Sequence, residues 1–116
     1  MTTPFIKYLL DMLSDLGDVR SRAMFGGYGI YHDGVMIGLI ASGVFYLKVD
    51  DGNRAAFEAA GSKPFTYRRK GQTKAVAMSY WEAPVDVLEN REALCQWARE
   101  AHAAAIRSKA KNGMRK

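Results

Sequence analysis

One cysteine, two histidines and three prolines in 116 residues leave this chain few groups that carry chemistry of their own. A single cysteine excludes an intramolecular disulfide framework and fits a reducing compartment, so a cytoplasmic protein is expected. His32, Cys95 and His102 are scattered without any metal-ligand spacing, and neither a metal nor an organic cofactor is expected. Long uncharged apolar runs are missing as well. The stretch FIKYLLDMLSDL is interrupted by Lys7, Asp11 and Asp15, which excludes a membrane span or the uncharged centre of a signal peptide. Acidic residues are absent from the C-terminal segment 107–116.

That last absence locates the net charge of +5. The segment carries Arg107, Lys109, Lys111, Arg115 and Lys116, and the 12 basic side chains left elsewhere match the 12 acidic ones. The length suits one domain and the hydrophobic fraction of 48% suits one core. The expectation is therefore a neutral domain over residues 1–106 and a basic, flexible tail over 107–116. Such a tail attracts any polyanion by counterion release, without sequence preference.

What is present has clear rhythm. Thr3-Pro4 suits a helix start, and Phe5, Leu9, Met12, Leu13 and Leu16 form a one-sided apolar stripe that Gly17 ends. From Val19 to Asp50 the pattern turns to strands. Asp33-Gly34 and Ser42-Gly43 mark two-residue turns of a meander, and Phe45, Leu47 and Val49 share one face of its last strand. Asp50 or Asp51 can cap a short helix over 53–60. A second hairpin is expected from Phe65 to Trp81, and Asn90 can cap a long helix to about Lys109 with Leu94, Trp97, Ala98, Ala101 and Ala105 buried. The order implies an α+β, two-layer sandwich: an antiparallel sheet with N-terminal, middle and long C-terminal helices.

The segment RSRAMFGGYGIYHDGV is the natural candidate for a site. A phosphate-cradling loop needs a helix and a Lys-Ser/Thr after the glycines, and a dinucleotide fingerprint needs a third glycine. Neither is here. As a strand, the segment leaves Gly27 and Gly29 as a bare strip beside Tyr31, onto which a helix or an aromatic ring can settle. Gly26-Gly27 itself fits either a bend or a tight pairing of two strands. Arg20 and Arg22 share one face; they are either a solvated edge or a clamp for an anion.

Catalytic constellations are thin. Cys95 and His102 share a helix face roughly 10 Å apart, too far for a hydrogen bond. Cys95 reads as a small buried hydrophobe, and His32, beside a turn, as an exposed residue. The acids sit at helix starts, where they serve as caps. No enzyme is expected. The second hairpin offers Arg68, Arg69, Lys70 and Lys74 with Tyr67, Tyr80 and Trp81, the mixture of bases and rings that holds polyanions. Together with Lys109 and Lys111 of the tail it defines an alternative reading, a weakly specific nucleic-acid binder. The plainer account is a solvated turn above a core tryptophan.

The motifs R-x-M-F-G-G-Y-G-I-Y at 22–31, F-Y-L-K-V-D at 45–50, S-K-P-F-T-Y at 62–67 and M-S-Y-W-E-A-P at 78–84 resemble the N-terminal domain of the TfoX/Sxy family, over nearly the whole chain to Ala105. The resemblance implies a secretion-chaperone-like α+β sandwich. It also implies a bacterial competence regulator that acts with the cyclic-AMP receptor protein as a transcriptional co-activator and not as an enzyme. Full-length members carry a second, C-terminal domain; a stand-alone N-terminal domain is expected here. A protein partner, the transcription machinery or the cyclic-AMP receptor protein, is then expected, with nucleic acid as the alternative and no membrane. The open sheet edges, with Tyr46 or Tyr80, also suit a homodimer.

Overall fold

The computed structural model describes residues 3–24, 26–68 and 75–114. Helix α1 (Thr3–Met12) is followed by a 3-10 turn at Ser14–Leu16 and by strands β1 (Val19–Met24), β2 (Gly27–His32), β3 (Val35–Ala41) and β4 (Val44–Lys48). Helix α2 (Arg54–Ala59) leads to β5 (Pro64–Arg68) and β6 (Ala75–Glu82), then to α3 (Val85–Leu88) and α4 (Arg91–Met114). The six strands form one antiparallel sheet in the order β1-β2-β3-β4-β6-β5. This is the α+β arrangement that the patterning predicts. No described helix is long and apolar enough to cross a membrane.

Local chemistry accounts for the meander. Asp33 and Gly34 have φ of 51° and 81°, and Ser42 and Gly43 have φ of 52° and 77°. Two successive left-handed residues make the hairpin turn whose twist matches the strands it joins. Met24 pairs with Gly27, so β1 and β2 close as a tight hairpin and not as one bent strand.

The sheet has two different faces. On the covered side Ile30, Ile37, Ile40, Phe45 and Leu47 join Leu9, Leu13, Leu94, Ala98 and Ala101 in one buried cluster. Pairing slips between Ile30 and Tyr31: Ile30 faces Gly38 while Tyr31 faces Met36. The extra residue is Ile37, and this bulge turns it fully into the core. The alanines of α4 keep that helix close to the sheet. Phe57 of α2 packs edge-on against Trp97, with ring centroids 4.8 Å apart, and against Trp81 at 6.3 Å. Arg91 fastens α4 to the end of α1 by donating to the Asp11 carbonyl at 2.7 Å and pairing with its carboxylate at 3.1 Å. A cation at that end complements the helix dipole.

Three features differ from the sequence-based expectation. Helix α4 does not stop near Lys109 but continues to Met114, so the basic segment expected as a tail is helical that far. Pro84, extended at φ −60° and ψ 146°, starts a short helix before Asn90. Its carbonyl accepts from Val87 and Leu88, a pattern too short to show as a periodic stripe. His32 is buried, 8% exposed, because it follows Ile30 on the covered face.

Candidate functional site

On the other face the pairing sets out rows of side chains across the strands. Arg22 lies opposite Gly29, Gly29 opposite Leu39, Leu39 opposite Tyr46, and Tyr46 opposite Glu82. The next row holds Arg20, Tyr31 and Met36, and a parallel pair sets Lys48 opposite Tyr80. Gly29 has no side chain, and a Cβ there would come within 3.0 Å of both Met24 Sδ and Tyr31 Cε1. The bare strip is thus covered by a thioether and a ring, not by a helix. Gly27 serves differently: a Cβ there would run into the Ile40 carbonyl, so the position requires close backbone approach.

Arg20 and Arg22 both project on this face from the edge strand β1, and both are exposed. Arg20 donates to Asp18 at 2.8 Å, which occupies one of the two arms that the clamp reading of this pair requires. Tyr46 and Tyr80, either of which suits a homodimer contact when exposed, are both partly engaged. The Tyr46 ring lies 4.9 Å from that of Phe65, and Lys48 Nζ sits 5.1 Å over the Tyr80 ring while donating to Ser79 Oγ at 2.7 Å. Burial raises the Tyr80 and Tyr46 phenols above their usual range and lowers Lys48, the last opposed by nearby Asp50.

Of the basic hairpin, Arg69, Lys70 and Lys74 lie outside the described residues, as do the side chains of Arg68 and Lys111. Lys109 is exposed on α4. Arg107 is not a free tail charge. Its Nε and Nη2 donate to the two Asp50 carboxylate oxygens at 2.7 and 2.8 Å. That fork, helped by the Gly52 N–H at 2.8 Å, holds the Asp50 carboxyl down to about 2. Asp50 therefore receives an arginine and does not cap α2. The cap region is organised by buried Asn53, which accepts from Asp50 N–H and donates to the Lys48 carbonyl.

Cys95 is buried; its Sγ lies 3.3 Å from the Met12 carbonyl, and burial pushes its thiol up. The pairing the sequence did not suggest is His32 with His102, whose ring centroids are 4.5 Å apart. Burial, then the neighbouring His32, lowers the His102 imidazole below its ordinary value, against a smaller opposite pull from Asp33. A signal existed for each residue separately. His32 is two residues beyond buried Ile30, and His102 follows Ala98 by one helical turn. Nothing in the chain says that the two faces meet.

The sheet, with helices packed on one face and a row of mixed, mostly half-buried side chains on the other, defines a two-layer α+β domain. The model of the TfoX N-terminal domain matches residues 11–105. That span covers most of the chain, and the chain belongs to the TfoX N-terminal domain family. No curated protein sequence matches it.

Proposed function

We propose that this competence-regulator-like domain is a non-enzymatic interaction module that engages a protein partner through the open face of its sheet. The row Arg22–Gly29–Leu39–Tyr46–Glu82 carries the reading. It joins a cation at the β1 edge to an acid on β6, and between them lie a glycine overlaid by Met24 and Tyr31 and the half-buried Leu39 and Tyr46. Aromatic and apolar groups framed by opposite charges are what a specific, moderately sized protein interface uses. Family membership points to the transcription machinery or the cyclic-AMP receptor protein as the partner, with co-regulation as the outcome.

The test is a binding titration of the full chain against the purified receptor protein and RNA polymerase. Arg22→Glu and Leu39→Gln, both on the open face, should each weaken the complex at least about tenfold. Binding to neither protein, or binding that both substitutions leave intact, refutes the reading. Duplex DNA at low and physiological salt serves as the comparison. Retention at physiological salt would favour the nucleic-acid alternative.

A further inference from the structure

Behind the β2–β3 turn, three side chains that the open face does not use converge. His32 ends β2, Asp33 begins the turn, and His102 comes from the covered side of α4. One ligand-capable atom from each lies within 4.8 Å of the other two.

Hydrogen bonding fixes what these atoms offer. His32 Nδ1 lies 3.1 Å from the Asp18 carbonyl, which can only accept, so Nδ1 carries the proton and Nε2 presents a lone pair. That Nε2 stands 3.7 Å from Asp33 Oδ2, beyond hydrogen-bond range. His102 Nε2 is buried and has no hydrogen-bond partner among the described residues. His32 Nε2 and the Asp33 carboxylate thus offer electron pairs beside an unpartnered His102 Nε2, which offers a third when its ring proton sits on Nδ1. Left alone, that arrangement costs free energy, because buried polar atoms are normally paired. A cation among them removes the cost.

We propose that His32, Asp33 and His102 form a three-ligand site for a borderline divalent transition-metal ion of the Zn2+ type. Two imidazoles with one carboxylate select such an ion over Mg2+ or Ca2+, which take oxygen ligands. Ligand bonds of about 2.0–2.2 Å place tetrahedral ligand atoms about 3.3–3.6 Å apart. The His32–Asp33 separation is already near this. The separations to His102, at most 4.8 Å, close by up to about 1.5 Å; Asp33, with 62% of its side chain exposed, moves on its side, and the His102 ring turns on the other. The Asp18 carbonyl is the outer partner that orients a ligating histidine, and it is itself anchored by the Asp33 N–H at 3.0 Å. Solvent reaches the Asp33 side, so the fourth position takes water. Bound there, the ion pins the β2–β3 turn to α4.

The site is tested on the full chain, stripped with a chelator and titrated with Zn2+, and with Co2+ for its absorption spectrum. One equivalent should bind, Co2+ should show the intense visible bands of a four-coordinate site, and Zn2+ at a hundred times Kd should raise Tm by about 10 °C. Asp33→Asn keeps the left-handed turn position, since asparagine tolerates it, and should weaken Zn2+ at least about tenfold; His102→Gln should do the same. Cys95→Ala should bind as the unaltered chain does. Zn2+ binding no tighter than Mg2+ overturns the site. So does Zn2+ binding that persists through Asp33→Asn and His102→Gln, or that disappears with Cys95→Ala.

Discussion

Gly38 and Gly52 offer a paired test of what packing tolerates. A Cβ at Gly38 would sit 2.5 Å from the Tyr46 carbonyl oxygen and 2.8 Å from Cε1 of Phe45. A Cβ at Gly52 would sit equally close, 2.5 Å, to Arg107 Nη2. The intrusions are alike; the obstacles are not. The Tyr46 carbonyl belongs to the β3–β4 ladder, and Phe45 is fully buried in the core. Arg107 is a half-exposed side chain that can give way, and the part of its Asp50 fork lost in doing so is offset by the gain from removing a glycine. Overpacking of a core costs about 1–3 kcal/mol, and losing a glycine returns about 0.4–1 kcal/mol through the unfolded chain. Gly38→Ala should therefore destabilise by about 1–2 kcal/mol. An unfolding entropy of about 2.1 cal/mol/K per residue converts this into a drop in Tm of about 4–8 °C for a domain of this length. Gly52→Ala should stay within about 2 °C of the parent near pH 7. Calorimetry of the three proteins side by side checks this. An unchanged Tm for Gly38→Ala, or an equal loss for both variants, would refute the reasoning.

Acid should expose the Asp50–Arg107 fork. The Asp50 pKa is depressed from 3.8 to about 2, so its contribution is complete above about pH 4 and is lost as pH falls towards 2. The shift corresponds to about 2 kcal/mol, reduced to about 1 kcal/mol because both partners remain partly in solvent. Asp50→Asn should flatten the stability–pH curve in that window, and an unaltered slope in urea melts would contradict the fork. Cys95, buried with a raised thiol pKa, should react with a thiol reagent at pH 7 at least about a hundredfold more slowly when folded than in urea. Fast stoichiometric labelling of the folded chain would show that the α1–α4 seam opens readily.

Much of the fold was legible because it is written in local chemistry. Asp33-Gly34 and Ser42-Gly43 announce turns, and the structure holds both pairs in the left-handed region. Asn90 announces a helix, and its side chain accepts the Ala93 N–H at 3.0 Å. Leu94, Ala98, Ala101 and Ala105 share a helical face, and all four are buried. The glycine segment is legible only in part. Its spacing identified an extended strand, yet Gly27 and Gly29 look alike in sequence. Strand pairing separates them: β3 brings the Ile40 carbonyl against Gly27, whereas Met24 of β1 and Tyr31 of β2 fold over Gly29. The surfaces were harder still. Tyr46 reads as an exposed ring until Phe65 is brought against it from β5.

Local order along the chain is thus enough for the turns, the helix caps, the alternation that gives the sheet one buried face, and the motifs that mark the family. Each of these rests on interactions among residues a few positions apart, or on a periodicity that one element carries alone. Tertiary structure decided that β4 pairs with β6 and leaves β5 at the edge, that Arg107 belongs to Asp50, and that His32 looks across at His102. The last two outcomes depend on where α4 crosses the sheet. That crossing is set by the summed packing of alanines, Ile37 and Phe45, to which no single local signal corresponds.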